Sequence, residues 1–275
     1  MTYQSINLDK NIKVSKRTRN INFIKAHEEI QKSTLAIDWD KIELCANEYK
    51  REIHDKEIIL IREEDQKLLK IPYITRFSNQ YKEKQLKKIR EFTNSLKKTG
   101  ESAMFLTLTI DPKLFTSINE MHQAIKKEFH KLYHAIKRNK TFVIGKITGY
   151  IVVEELQKNL NPHLHVVLRG AEFINADYIR SLWHIGTFVF VERIYRIGGI
   201  VSYLGKYISK NIKSENWGNI ILWALNARII SNSLSLITDK TKCAANVIKK
   251  GFVYIGVAPI NAIVSYYDVL TFFGT

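Results

Sequence analysis

Hydrophobic and polar positions along this chain repeat with two different periods, and the switches between them mark the expected elements. Residues 21–56 carry helical spacing, with Ser33 as the N-cap ahead of TLAIDWDKIELCANEYKREI. EIILIRE (57–63) is compatible with a short strand or a piece of helix. NQYKEKQLKKIREFTNSLKKTGE (79–101) is a basic amphipathic helix ending near Gly100. SAMFLTLTI (102–110) is a strand stopped by Asp111-Pro112, and FTSINEMHQAIKKEFHKLYHAIKRNK (115–140) is a long helix. KITGYIVVEELQ (146–157) and HLHVVLRG (163–170) are strands joined by a turn at KNLNP, which makes them an antiparallel hairpin. A short helix (175–184) capped by Asn175, a strand (187–195) and a helix (198–213) follow. WGNIILWALNARIISNSLSLI (217–237) is expected to be helical, and GFVYIGVA (251–258) a further strand.

The order β-α-β-β-α-β-α is similar to the split βαββαβ arrangement, an antiparallel sheet with helices on one side. The expected class is therefore α+β: a central antiparallel sheet of about five strands with flanking helices, plus N-terminal helical and C-terminal extensions. Four segments follow: a basic arm (1–20), a mostly helical region (21–101), a core (102–213) and an extension packed on the core (214–275). No internal repeat, low-complexity tract or Gly/Ser linker interrupts them.

Charge changes this picture. The 43 Lys+Arg outweigh 27 Asp+Glu by +16, which favours a polyanionic partner. The plainer reading is a set of solvated lysine faces. Cys45 and Cys243 are far apart and in no metal-ligand spacing, so a reducing cytoplasm is the expected compartment. Residues 252–273 are long enough to span a bilayer, but Pro259, Asn261 and Asp268 interrupt them, and no membrane partner is expected. No G-x-x-x-x-G-K-[ST] motif is present, so no P-loop helicase is expected within this chain.

Candidate chemistry gathers on the hairpin. His163 and His165 are two apart in a strand, so both imidazoles stand on one face. On the partner strand Glu155 and Gln157 share a face that the short turn sets opposite them, while Glu154 points the other way. Glu155, His163 and His165 make a three-ligand set with Gln157 as an auxiliary. Imidazole and carboxylate donors with open positions suit Mn²⁺ or Mg²⁺ acting on phosphate. Ordinary histidines satisfied by hydrogen bonds are the simpler account of an isolated H-x-H.

Downstream, Tyr203 and Tyr207 lie at i,i+4 on one helix face, each followed three residues later by a lysine, Lys206 and Lys210. A phenol with a pKa near ~10 needs help to act as a nucleophile at neutral pH, and an ammonium beside a phosphate supplies it. Such pairs are more often packing. Lys210, Lys137 and Arg138, with the 79–98 helix and the N-terminal arm, are candidate DNA contacts or solvated charges. Trp183, Tyr195 and Trp217 suit base stacking less well than core packing. His130 and His134 at i,i+4 have no third ligand in view.

FLTLT (105–109), PHLH (162–165) and YLGKY (203–207) occur in this order, and with them residues 102–213 resemble the HUH endonucleases. The likeness is to two-tyrosine rolling-circle replication initiator (Rep) proteins, as in the gene A proteins of small single-stranded DNA phages and related plasmid and archaeal initiators. The resemblance implies that His163 and His165 bind a metal with Glu155 and Gln157. It makes Tyr203 and Tyr207 paired nucleophiles, and Lys206 the lysine of their Y-x-x-K pattern. Thr107 and Thr109 are read as supporting residues. It further implies nicking and joining of single-stranded DNA at an origin through a 5′-phosphotyrosine, with host helicase and polymerase as partners. Rival readings are a two-tyrosine HUH transposase and a non-catalytic protein that binds an origin or single-stranded DNA.

Overall fold

A computed structural model describes residues 20–54, 56–62, 64–65, 67–186, 188–212, 217–233 and, for the backbone, 252–259. Its helices are α1 (Ile21–Glu29), α2 (Trp39–Ile53), α3 (Asn79–Thr99), α4 (Ile118–Arg138), α5 (Ala176–Leu182), α6 (Gly199–Ile212) and α7 (Trp217–Ala224). Its strands are β1 (Lys56–Arg62), β2 (Leu68–Pro72), β3 (Ala103–Thr109), β4 (Val143–Leu156), β5 (Pro162–Ile174), β6 (Val189–Arg193), β7 (Ile230–Asn232) and β8 (Phe252–Pro259). The arm at 1–19, Cys243 and the stretch 260–273 lie outside the described residues. Among the described residues no helix is long and apolar enough to cross a membrane.

The chain divides into two compact units. The smaller contains an antiparallel sheet in the order β2-β1-β8. The larger, Asn22–Glu48 and Thr75–Thr238, contains the antiparallel sheet β6-β3-β5-β4-β7. The division expected from sequence cuts across these units: β1 and β2 interrupt the region expected to be mostly helical, and β8 pairs with β1.

Local chemistry explains the element ends. Ser117 accepts a hydrogen bond from the Glu120 amide while the Glu120 carboxylate accepts from the Ser117 amide, a complete capping box for α4. Gly100 takes the left-handed conformation, φ 66°, that closes α3. Asn175 caps α5 by accepting from the Tyr178 amide at 3.0 Å. Ser33 does not start the long helix. It precedes a single 3₁₀ turn and makes no side-chain cap, and Asp38 takes that role by accepting from the Lys41 amide at 3.0 Å. The expected helix 217–237 is also shorter. It stops at Ala224, Asn226 turns the chain with φ 54°, and Ile230–Asn232 then pairs with β4.

The expectation of helices on one side of the larger sheet is overturned. Glu154 and Glu155 are consecutive in β4 and so point to opposite faces. Glu154 meets His122 of α4, and Glu155 meets Lys210 of α6. Helices therefore cover both faces, α4 on one, α3 and α6 on the other. This is why β3 and β5 are almost wholly buried along their lengths: Leu106, Leu108, Leu164, Val166, Val167 and Leu168 pack in both directions. Arg169 of β5, on the α6 side, ties the sheet to α3. It donates to Ser95 and Thr99 and pairs with Glu101.

That network generates a prediction. The hydrogen bond from Arg169 is the chief cause holding the Glu101 carboxyl below its ordinary 4.5, against the opposing effect of burial. A carboxyl lowered on folding adds stability that is complete above its unfolded pKa and is lost as pH falls through the folded value. Arg169→Met should cost about 2 kcal/mol at neutral pH. It should also remove part of the acid-dependent loss of stability below pH 4.5. Urea unfolding of both proteins across that range measures each effect.

Candidate active site

β4 and β5 meet with Glu155 directly opposite His163 and Val153 opposite His165, while β3 sets Thr107 opposite His165 and Thr109 opposite His163. Side chains paired in this way share a face. His165, buried, has Nε2 2.8 Å from Glu155 Oε2, and its Nδ1 is 3.5 Å from the Thr107 hydroxyl. The other oxygen of Glu155 accepts from Lys210 Nζ. Burial would raise the Glu155 carboxyl, but the bonds from His165 and Lys210 outweigh it and leave it below the usual range. His163 is half-buried, and burial, then the adjacent His165, lowers its imidazole to about 4. It is neutral at physiological pH, with one ring nitrogen carrying a lone pair.

Helix α6 lays its tyrosines over this patch. The Tyr207 ring stacks on the His165 ring, with centroids 3.5 Å apart and planes 15° from parallel. The Tyr207 hydroxyl lies 2.9 Å from that of Tyr203 and donates to it. Phe105 of β3 supports the group from below, 4.4 Å from Tyr203 and 6.2 Å from His165 between centroids. Tyr203 is 41% exposed, whereas Tyr207 is partly buried. Burial first, then the bond to Tyr203, raises the Tyr207 phenol above its ordinary 10. A cavity of about 350 Å³ opens beside Tyr203, between β6 and α6, with Arg193, Tyr195 and Arg196 in its wall.

The structure thus brings together His163, His165, Glu155, Tyr203, Tyr207 and Lys210. Lys210 is engaged with Glu155. Lys206 points outward, exposed. Gln157 lies past the end of β4, exposed in the turn that its backbone closes with Asn161 and Leu160. Lys137 and Arg138 are exposed on the last turn of α4. Thr109 binds the backbone of Phe188 and so braces β3 against the chain entering β6. Trp183 is buried and donates to the Thr109 carbonyl at 2.7 Å, and Trp217 packs edge-on against Trp39.

Two contributors were not anticipated from sequence. Phe105 is the aromatic floor, and its place one strand position before Leu106-Thr107 was the available signal. Asn211, fully buried on α6, donates to the Glu154 carbonyl at 2.8 Å and fixes the helix against β4. An asparagine in an apolar helical run is the sequence signal for such a tether.

Among the described residues, no three His, Cys, Asp or Glu side chains are drawn together closely enough to hold a metal ion as they stand. The donor chemistry nonetheless fits a divalent cation: a neutral imidazole, a second imidazole and a buried carboxylate that already carries a cationic ammonium.

Residues 103–212 match a family model of replication-associated proteins, the ORF2 family. The match covers the sheet strands from β3 to β6 and ends with the tyrosine helix. A curated relative, "Uncharacterized protein 1" of Halorubrum pleomorphic virus 1, is 26% identical over 220 residues, which is 64% of this chain. The chain spans 43% of that relative's length. No solved structure matches significantly.

The depressed basicity of His163 is directly measurable. In an NMR titration of the imidazole resonances its midpoint should fall near 4, well under the ordinary 6.5. A midpoint above 6 would show that the ring is not desolvated as described.

Proposed function

We propose that this chain is a replication initiator that cuts and rejoins single-stranded DNA through its paired tyrosines. The observation that carries the reading is the stack of Tyr207 on His165, with the Tyr207 hydroxyl bonded to that of Tyr203. It sets two phenols against the imidazole and carboxylate patch, within the segment matched by the replication-associated family. The net charge of +16 and the arginines beside Tyr203 suit a polyanionic strand. The neighbouring cavity has room for one nucleotide unit, with Tyr195 as a stacking surface.

His163, His165 and Glu155 are the residues that would hold a divalent metal, Mn²⁺ or Mg²⁺. When bound, it would supply charge stabilisation to the scissile phosphodiester. The chain's own groups do the rest. The hydrogen bond from Tyr207 stabilises negative charge on the Tyr203 oxygen, and the open cavity beside Tyr203 admits the strand. Tyr203 is therefore the first nucleophile. Its oxygen attacks the phosphorus, the O3′ bond breaks, and the 5′ phosphate stays on the phenol while a 3′ hydroxyl leaves. The new linkage is again a phosphodiester, so reversal needs no nucleotide. Tyr207, protonated and partly covered, is held for a second transfer.

Trypsin separates the two candidates. Cleavage after Arg196, Lys206 and Lys210 puts Tyr203 in peptide 197–206 and Tyr207 in peptide 207–210. After incubation with labelled single-stranded DNA from the replicon and Mn²⁺, the first adduct should appear on 197–206. Tyr203→Phe should lower initial cleavage by about 10²-fold or more, the scale of losing an activated nucleophile. Tyr207→Phe should cut once and fail in strand transfer. An adduct confined to 207–210 reverses the order, and DNA binding with no adduct on either peptide removes the catalytic reading.

A further inference from the structure

The face of the sheet opposite the histidines has a cavity of its own, about 220 Å³, between α4, β4 and the 226–231 segment. Its polar wall is Lys126, His130, Glu154, Arg228 and Ser231, and Phe129 and Tyr150 form an aromatic side. Glu154, 3% exposed, faces it but is already engaged: His122 Nδ1 is 2.5 Å from Oε1 and Lys126 Nζ is 4.0 Å from Oε2. Lys126 Nζ also lies 2.6 Å from His122 Nε2.

The charges do not balance. One carboxylate is shared by an imidazole and an ammonium, and the guanidiniums of Arg76 and Arg228 act on the same ammonium. Burial is the larger force lowering the Lys126 amine, with both arginines adding to it against Glu154. A half-enclosed cavity with excess positive charge draws an anion, and it does so more strongly than exposed lysines because little solvent screens it. Arg228 offers a planar donor fork at the rim, and Ser231 a hydroxyl. The volume suits a phosphate with part of a sugar, and the aromatic side suits the sugar or base edge.

We propose that this cavity is a phosphate-binding site that takes the phosphate group of a nucleotide, on the side of the sheet away from the tyrosines. The group could belong to a DNA backbone or to a free nucleotide, and the chemistry of recognition is the same. The proposal does not rest on the nicking reading.

The test uses the full chain carrying Tyr203→Phe and Tyr207→Phe, so that no covalent adduct forms. Binding of dATP, inorganic phosphate and a single-stranded oligo(dT) is measured for this background and for added Arg228→Ala, Lys126→Met or Lys113→Ala. Lys113 is exposed on the 3₁₀ turn after β3 and serves as a charge-matched control. Arg228, on the exposed rim, keeps the test valid if Lys126→Met fails to fold. Arg228→Ala should weaken binding about fivefold or more, the scale of one charge-assisted hydrogen bond, and Lys113→Ala should not. Loss confined to oligo(dT) identifies a DNA phosphate, and loss for dATP or phosphate a free nucleotide. In amide NMR spectra His130 and Ser231 should shift on adding whichever probe binds. Equal binding by the Arg228 and background proteins, or equal weakening by the Lys113 control, overturns the site.

Discussion

Two adjacent carboxylates on one strand hold the larger unit together. Glu154 and Glu155 are both buried, and because they are consecutive in β4 they face opposite ways. A buried charge costs several kcal/mol unless it is paired and hydrogen-bonded. Each is answered by an imidazole and an ammonium: Glu154 by His122 and Lys126, Glu155 by His165 and Lys210. Three of those four partners come from helices. The requirement to neutralise two carboxylates thus docks α4 on one face and α6 on the other. Asn211 reinforces the second docking by bonding to the Glu154 carbonyl.

The placement of α6 then decides what the site can do. Lys210 reaches Glu155 only if the preceding turn of the helix lies over His165, and that turn carries Tyr207. Tyr203, one turn further back, is left at the rim, in contact with Phe105 and with the Tyr207 hydroxyl. The two phenols are chemically equal in the unfolded chain. Their environments separate them: one is stacked, covered and raised in pKa, and the other is open and receives a hydrogen bond.

Much of this arrangement was legible in the sequence. The hairpin, the shared face of His163 and His165, the opposing Glu155 and the outward turn of Glu154 all follow from a period of two and a short connection. The i,i+4 tyrosines follow from the helical period. What was missed depended on non-local pairing or on a choice between equivalent positions. Lys206 and Lys210 have the same spacing from their tyrosines, and only the docked helix shows that Lys210 meets the carboxylate. Residues 57–63 were ambiguous because their partners include strand β8, nearly two hundred positions away. The apolar run from 217 looked like one helix because its break is a conformation of Asn226, not a proline or glycine. The two-sided cover of the sheet was visible in the unbroken apolar runs of β3 and β5, but the analogy to a one-sided arrangement obscured it.

The near symmetry of the two glutamate clusters also separates anchoring from chemistry. Both contain a carboxylate, an imidazole and an ammonium on a sheet, so this trio by itself does not define a reaction centre. On the α4 side the imidazole is enclosed between carboxylate and ammonium, and neither neighbouring phenol, Tyr133 or Tyr150, is placed against it: these two pack on each other and on Phe129. On the α6 side the same trio is covered by a stacked phenol that is itself bonded to a second, open one. The difference between the faces is the tyrosine pair and the second histidine, His163. A buried ionic cluster is a weak source of stability alone, since apolar packing of the same volume does as well. On the α6 face the cluster is explained by what stands over it; on the α4 face it leaves positive charge beside a cavity, which is the property that apolar packing could not supply.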